Sequence, residues 1–196
     1  MFTDPQIIIN NDGEAVYYPL VFNTVEAQKL VTELHQNIEW QHDEVIMFGK
    51  QITTKRKVAW YAGEGISYTY AGKRKDPLPW TPILMSIKEK VEKQTGATYN
   101  ACLLNLYHAG DEGMSWHRDN EKEIVPESSI ASVSFGAPRK FAFKHAATAQ
   151  KIELMLDAGS VLDMRGPIQQ HWYHALPPSK KIKDLRVNLT FRLLIK

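Results

Sequence analysis

The chain has 196 residues, of which 43% are hydrophobic and 23% charged, and its formal net charge is +2. This length suits one domain with a substantial core, and so small a net charge does not by itself indicate a nucleic-acid partner. A single cysteine, Cys102, excludes an intrachain disulfide. With neither a signal peptide nor a long apolar run in the sequence, we expect an intracellular protein outside the membrane, cytoplasmic in a bacterium and nuclear in a eukaryote.

The N-terminal part predicts two short strands and a helix. Residues 7–9 and 16–21 have the short apolar pattern of strands. Asn23 offers an N-cap, with Glu26 three residues later as its capping-box partner. Apolar residues then follow at helical spacing: Ala27, Leu30, Val31, Leu34 and Ile38.

The rest of the chain predicts one more helix and then a series of strands. The helix is expected to begin at Thr81-Pro82, with Pro82 at its first helical position, and to end near Gly96. Short strands separated by Gly, Pro or charged turns are predicted at 101–107, 129–135, 140–144, 151–156, 160–164 and 186–195. Together these elements predict a mostly β, α+β fold, namely an antiparallel sandwich or jelly roll with N-terminal helices packed against one sheet.

Two imidazoles and a carboxylate are candidate metal ligands. His117 and Asp119 are two residues apart, so on an extended segment their side chains point the same way. His174 is a better third ligand than His171, because the two have opposite parity on an extended segment, although parity alone does not decide between them. Two histidines and one carboxylate can hold one face of an Fe(II) ion and leave the opposite face open for chemistry.

The last predicted strand carries an alternating pattern of polar and apolar residues. Its polar side chains would share one face: Arg186, Asn188, Thr190 and Arg192. Asn105 and Tyr107 form a second polar pair of equal parity, and both are suitable donors to a carboxylate held by an arginine. Two arginines on a face backed by apolar residues suit a buried dianion. An iron site beside a dicarboxylate site predicts an oxygenase that consumes 2-oxoglutarate.

Basic residues cluster in four runs, at 55–57, 73–75, 139–140 and 180–183. A single run of this kind is usually a solvated loop. The four runs are interleaved with aromatic residues that include Phe48, Tyr68 and Tyr70, and this combination favours a phosphate-lined groove with stacking groups.

Several motifs, in this order along the chain, resemble the AlkB family of Fe(II)- and 2-oxoglutarate-dependent nucleic-acid dealkylases. They are Asn105-x-Tyr107, Trp116-His117-Arg118-Asp119-Asn120-Glu121, and the segments 130–136, 171–177 and 186–192. The resemblance runs from about residue 40 to the C-terminus. It implies a double-stranded β-helix, the jelly-roll fold, in a single domain 1–196. Within that domain, 1–95 would supply helices and a nucleotide-recognition lid, and 96–196 the catalytic core.

The resemblance also implies a role for each candidate site residue. His117, Asp119 and His174 would bind Fe(II). Six residues would line the pocket for the cosubstrate 2-oxoglutarate, with O2 as the other cosubstrate: Asn105, Tyr107 and Arg186 at the far carboxylate, Arg192 at the end near iron, and Asn188 and Thr190 along the same pocket.

The upstream segment resembles the branch of the family that repairs duplex DNA. Phe48 and Gly49 would form a loop whose phenyl ring acts as a wedge in the base stack, which helps to offset the cost of extruding a lesion. Tyr68 and Tyr70 belong to a segment that resembles a lid whose aromatic ring stacks on the flipped base. Here the chain has Tyr70 and Ala71, where Phe and a small hydroxyl residue are typical of the branch, and this difference bears on base preference and rate.

Two charged residues complete the expected substrate site. Arg56 stands where the family has a basic residue near the DNA, and Glu121 resembles the acidic residue that contacts the damaged base. A methyl group on N1 of adenine or N3 of cytosine makes the base cationic, so a carboxylate at this point would favour it.

The expected activity is therefore oxidative demethylation of 1-methyladenine and 3-methylcytosine in DNA, duplex or single-stranded, with RNA left open. It would be coupled to conversion of 2-oxoglutarate to succinate and CO2, with release of formaldehyde. Two alternatives stay open at this point: an oxygenase acting on a protein or small molecule, and a protein that binds damaged nucleic acid without turnover. We expect a monomer.

Overall fold

The structure is a computed structural model that describes residues 4–47, 50–66, 68–70, 73–75 and 77–195. Within these ranges the chain forms three helices, Thr24–Asn37 (α1), Pro82–Thr95 (α2) and Ile168–His171 (α3). Its strands are Gln6–Ile9 (β1), Glu14–Tyr18 (β2), Gln41–Met47 (β3), Lys50–Ala62 (β4), Tyr68–Tyr70 (β5), Lys73–Lys75 (β6), Ala101–Tyr107 (β7), Met114–His117 (β8), Ile130–Gly136 (β9), Arg139–His145 (β10), Lys151–Leu156 (β11), Val161–Arg165 (β12), Trp172–Leu176 (β13) and Arg186–Arg192 (β14). None of the helices described is both long and apolar enough to span a membrane.

Two sheets form the body of the fold. The major sheet has eight strands in the order β1-β2-β12-β9-β14-β7-β4-β3, and the minor sheet has four in the order β11-β10-β13-β8. All pairings within these two sheets are antiparallel. A separate pair, β5 and β6, comes from the segment expected to form the lid. The predicted jelly roll is confirmed.

Both long helices begin where their N-capping residues predict, and α2 also ends at the predicted glycine. The Asn23 side chain accepts a hydrogen bond from the Glu26 backbone N–H at 3.0 Å. The Glu26 carboxylate does not complete a capping box but pairs with Lys90 of α2 at 2.7 Å, and this ion pair ties the two helices together. Helix α2 starts after Thr81 and ends at Gly96, whose φ of 71° is the left-handed conformation that glycine adopts without steric cost.

The helices cover the outer face of the major sheet. The apolar residues of β14, Val187, Leu189 and Phe191, are fully buried in one core with α1 and α2. A second core fills the space between the two sheets and includes Phe143 and Trp172. Because side chains alternate along a strand, the polar residues of β14 face this inner space.

Strands from the N-terminal half complete the major sheet. β4 pairs with β7 from Lys57↔Leu106 to Ala62↔Ala101. Neither β4 nor its neighbour β3 was predicted from the sequence, and β13 of the minor sheet was not predicted either. The predicted boundary at residue 95 thus falls between strands of one sheet, since β1 to β4 and β7 belong to it together.

Candidate functional site

A cavity of about 180 Å³ opens between the two sheets, over the polar face of β14. The register of the major sheet sets Asn188 opposite Asn105 of β7, and Arg186 opposite Tyr107. The structure thus brings together all nine predicted metal and cosubstrate residues, which line this one cavity: Asn105, Tyr107, His117, Asp119, His174, Arg186, Asn188, Thr190 and Arg192.

The candidate metal ligands come from two paired strands of the minor sheet. His117 at the end of β8 lies opposite His174 of β13, and the ring centroids are 4.2 Å apart. Asp119 follows two residues after His117. One potential ligand atom of each residue lies within 4.8 Å of those of the other two. This is the spacing that a single ion bridging three side chains requires.

Neighbouring groups orient these ligands. His117 Nδ1 lies 2.7 Å from the Ser115 carbonyl oxygen. Because a carbonyl only accepts, Nδ1 carries the proton and the Nε2 lone pair is available to a metal. The Asp119 backbone N–H donates to the Gln169 side-chain oxygen at 3.0 Å, which fixes the start of the loop after Asp119.

Both buried ligands are in the protonation state that metal binding needs. Burial lowers the pKa of His174 to about 3, so its imidazole is neutral at physiological pH. Burial by itself would raise the pKa of Asp119, but Arg192 and the two histidines outweigh it and lower that pKa to about 2. A carboxylate and two imidazoles on one side, with an open cavity on the other, fit Fe(II) in an oxygenase site.

A second group of possible ligands explains why His171 is not part of this site. His171 stacks parallel to His145, with centroids 6.2 Å apart, and both lie beside Asp12. The Thr148 N–H donates to His145 Nδ1, so the Nε2 of His145 carries the proton and donates to Asp12 at 3.1 Å. A protonated nitrogen has no lone pair for a metal, and this cluster therefore acts as a hydrogen-bonded anchor.

The far end of the cavity holds a buried cation that pairs with no anion among the described residues. Arg186 is 2% exposed, and its Nη2 donates to the Ser134 hydroxyl at 3.0 Å. Burial lowers its pKa to about 10, yet it remains charged at neutral pH. Within the described part of the chain it forms no ion pair, and Arg186 Nε and Asn105 Oδ1 are buried without a hydrogen-bond partner. A ligand carboxylate at this point would satisfy the guanidinium, and 2-oxoglutarate fits this requirement.

Arg192 and Asn188 line the near end of the cavity. Arg192 contacts Asp119 at 3.0 Å, so one guanidinium touches the metal site. The Asn188 amide donates to the Ser132 hydroxyl and accepts from Thr190, which fixes its orientation. Ser132 and Ser134 were not predicted as site residues, although their alternation in a predicted strand was the signal that could have identified them.

A buried arginine outside the cavity supports the site from behind. Arg139 is 1% exposed, and its Nη2 donates to the backbone oxygens of Gly110, Glu112 and Pro177. The sequence placed it in a basic run, but in the structure it joins the loop before β8 to the end of β13. It thereby holds together the two strands that carry the candidate ligands His117 and His174.

The structure describes the predicted substrate residues to different extents. Glu121 is half-buried and lines the cavity. Phe48 and Gly49 lie outside the described residues. Tyr68 and Tyr70 belong to β5, of which the backbone alone is described.

Arg56 lies in the interior of the structure. It is 6% exposed and forms an ion pair with the fully buried Asp43 across the β3–β4 hairpin. In this conformation its guanidinium is not available to a phosphate. Its contact with nucleic acid stays a prediction, and the structure adds a role as an anchor of the hairpin.

We expect Arg56→Ala to lower the free energy of unfolding by about 3–5 kcal/mol, because the change removes one partner of a buried ion pair. Lys55→Ala is the matched control, since Lys55 is exposed and its pair with Asp111 should contribute about 0–1 kcal/mol. Urea denaturation measures both. Equal, small losses in the two variants would show that the Arg56–Asp43 pair does not anchor the hairpin.

Comparison with known proteins gives the family. The family model of the 2OG-Fe(II) oxygenase superfamily matches residues 14–192. DNA oxidative demethylase ALKBH2 of Mus musculus is 40% identical, over 94% of this chain and 82% of its own length. The Homo sapiens ALKBH2 is 39% identical over 95% of this chain and 76% of its own. The chain belongs to the AlkB family.

Other relatives agree with this assignment. The Homo sapiens alpha-ketoglutarate-dependent dioxygenase alkB homolog 3 is 34% identical over 98% of this chain and 77% of its own. A solved structure of OsALKBH1 covers 96% of this chain and 100% of its own, with a TM-score of 0.67, and at 13% identity that likeness concerns the fold. This AlkB-family protein is an Fe(II)- and 2-oxoglutarate-dependent dioxygenase. The family match begins well before residue 40, where the sequence motifs placed its start.

Proposed function

We propose that this AlkB-family dioxygenase removes methyl groups oxidatively from 1-methyladenine and 3-methylcytosine in DNA. The observation that carries the proposal is one cavity that combines a His–Asp–His cluster with a buried arginine whose Nε has no hydrogen-bond partner in the described part of the chain. That ALKBH2 relatives are named DNA oxidative demethylases supports the choice of substrate. The expectations of a monomer and of an intracellular location stay predictions.

In this proposal the protein binds and positions the reactants. His117, Asp119 and His174 hold the iron, and the guanidinium groups of Arg186 and Arg192 hold the two ends of the cosubstrate. When bound, iron with O2 and 2-oxoglutarate supplies the oxidation, in which 2-oxoglutarate becomes succinate and CO2 and the methyl group leaves as formaldehyde. The strand pairing of β8 with β13 fixes His117 and His174 on rigid elements beside the cavity, where they would hold the iron.

Glu121 would select a cationic base. Its side chain lines the same cavity as the metal ligands, two residues after Asp119. A carboxylate here stabilises the positive charge that N1-methylation gives adenine, and that N3-methylation gives cytosine. Loss of base pairing in these lesions also lowers the cost of flipping them out of a helix.

An exposed lysine loop would bind the phosphate backbone. Lys180, Lys181 and Lys183 are exposed in the loop between β13 and β14. Gly110 fixes this loop, because its N–H donates to the Ile182 carbonyl and a Cβ at this position would lie 2.2 Å from the Ser179 carbonyl oxygen. Three lysines on a fixed loop suit a sequence-independent contact with a polyanion.

The direct test incubates the protein with Fe(II), ascorbate and 2-oxoglutarate in air, together with oligonucleotides that carry one methylated base. Mass spectrometry follows loss of the methyl group from 1-methyladenine and 3-methylcytosine, in single strands and in duplexes. We expect demethylation coupled to succinate formation. Turnover of 2-oxoglutarate without demethylation of any oligonucleotide would contradict the proposed substrate and favour an oxygenase acting on a protein or small molecule.

We expect Glu121→Gln to slow demethylation of 1-methyladenine about tenfold, because the neutral amide loses about 1.4 kcal/mol or more of interaction with the cationic base. Demethylation of 3-methylthymine, which is neutral, should change by less than about twofold, given that no such charge is present. Initial rates under identical conditions give the ratio. An equal loss on both bases would mean that Glu121 does not act through the charge of the base.

A further inference from the structure

Four side chains form a continuous row on the outer face of the minor sheet. Trp116, Lys144, Tyr173 and Arg118 make up this aromatic–cation row. The Lys144 ammonium lies 5.3 Å from the Trp116 ring centroid and 5.8 Å from that of Tyr173. The Arg118 guanidinium covers the other end of the row, 4.4 Å from the Tyr173 centroid, and donates to the Tyr173 hydroxyl at 3.2 Å.

Strand register explains why these residues meet. Lys144 of β10 lies directly opposite Tyr173 of β13, and His174 beside it lies opposite His117 of β8. Because neighbours on a strand point to opposite faces, the histidines face the cavity while Tyr173 and Lys144 face outward. Arg118 also lines the cavity, so the row leads from the outer sheet face to the edge of the active site.

The row is held in place but not covered. Arg118 Nη1 donates to the Gln170 carbonyl at 2.7 Å, which fixes the end of the row nearest the cavity. Trp116 is 40% exposed, an unusual position for so large a ring, and lies one residue before a metal ligand. An exposed tryptophan ring, with Lys144 between it and a tyrosine held by Arg118, offers surface on which a base can stack.

The charge around the row is complementary to a polyanion. Four cations and one carboxylate belong to this face of the sheet and its edge: Arg118, Lys140, Lys144, Lys151 and Glu153. Glu153 is engaged by Lys140 at 2.7 Å, so the other three cations are not neutralised by it.

We propose that the aromatic–cation row binds unpaired nucleotides that flank the target base, a role that rests on the proposed function. Every base has a π-face that stacks on an aromatic ring without regard to sequence, while the cations contact the phosphates between successive bases. Paired bases hide their faces within the duplex, so the stacking part of this site serves single-stranded substrate. The row is therefore a binding site for a single strand, and this site is separate from the lysine loop between β13 and β14.

The test measures binding of a short, unmethylated single-stranded oligonucleotide by fluorescence anisotropy. We expect Trp116→Leu to weaken binding about tenfold, because leucine keeps apolar volume but not the stacking face. Trp116→Tyr should remain within about threefold of the wild type, since it retains a ring. Duplex binding should change by less than about twofold in Trp116→Leu. Val25→Ala, at an 80% exposed position on α1, controls for general loss of apolar surface.

Turnover of 2-oxoglutarate without nucleic acid reports whether each variant is folded. If Trp116→Leu misfolds, Lys144→Gln replaces it, and the slope of log affinity against log salt should fall by about 0.7 for the single strand. Equal losses in the Leu and Tyr variants, or in single strand and duplex, would overturn the proposal. Competition by polyglutamate that depends on Trp116 would assign the row to an acidic protein partner instead.

The outcomes also separate this proposal from the proposed function. Suppose that the wild-type protein demethylates oligonucleotides and that Trp116→Leu binds the single strand as well as the wild type does. The proposed role of the aromatic–cation row would then be wrong, and the proposed function would stand. If the wild-type protein turned over 2-oxoglutarate but bound no oligonucleotide, the proposed nucleic-acid substrate itself would be contradicted.

Discussion

The variant His174→Ala should lose demethylation by at least about a thousandfold, because a bound metal contributes several kcal/mol to the reaction and each 1.4 kcal/mol is a factor of ten. The imidazole is 4% exposed and lies opposite His117, so its removal takes away one of the three candidate ligands of the cluster. Metal analysis of the purified variant should show Fe(II) binding strongly reduced, which separates loss of the ion from loss of the nucleic-acid substrate.

His171→Ala is the matched control for this result. His171 lies three residues earlier, is also a histidine, and stacks on His145 away from the cavity. We expect this variant to keep iron and most of its activity, and to lose some thermal stability. If instead His171→Ala lost iron and His174→Ala did not, the assignment of the third ligand would be wrong.

The variant Arg186→Gln should raise the KM for 2-oxoglutarate by about a hundredfold or more, because removing one partner of a buried charge pair costs about 3–5 kcal/mol. Stability in the absence of 2-oxoglutarate should not fall, since burial already disfavours this cation, as its lowered pKa of about 10 reflects. Steady-state kinetics and thermal unfolding without cosubstrate measure the two effects. This combination, weaker cosubstrate binding without a weaker fold, identifies Arg186 as a ligand-binding residue.

Two further substitutions make the Arg186 experiment specific. Arg186→Lys keeps the charge but loses the two-pronged guanidinium geometry, so we expect an intermediate KM, about tenfold above wild type. Arg165→Gln removes an arginine that pairs with the buried Asp163 outside the cavity. It should lower the melting temperature and leave the KM for 2-oxoglutarate unchanged. A normal KM in Arg186→Gln would place the far carboxylate elsewhere.

The sequence predicted correctly which residues of β14 share a face, because the two faces of this strand have different chemistry. Arg186, Asn188 and Thr190 alternate with residues that are wholly apolar, and the period of two gives the orientation without knowledge of the fold. The metal cluster was harder, since His117 and His174 are distant in sequence. Parity favoured His174 over His171, and only the pairing of β8 with β13 separates them in space.

What sequence reasoning missed depends on tertiary contacts. β4 begins with lysines and threonines that look like a polar loop, and its pairing with β7 makes it a strand. Arg139 and Arg56 looked like members of exposed basic runs. Nothing local distinguishes an exposed arginine from one that donates to backbone carbonyls, or from one that faces a carboxylate across a hairpin, as Arg56 faces Asp43.

The two-sided use of β14 restricts how this chain can change in length. A single-residue insertion or deletion within Arg186–Arg192 would exchange the faces of every residue beyond it. Leucine and phenylalanine would then enter the cosubstrate cavity, and an arginine would enter the core beneath the helices. The fold and the candidate cosubstrate cavity would be disrupted together. We therefore expect this segment to tolerate substitutions but not insertions or deletions. We expect changes in length to be tolerated in connections such as 177–185, which carry the proposed phosphate contacts and leave the alternation of β14 intact.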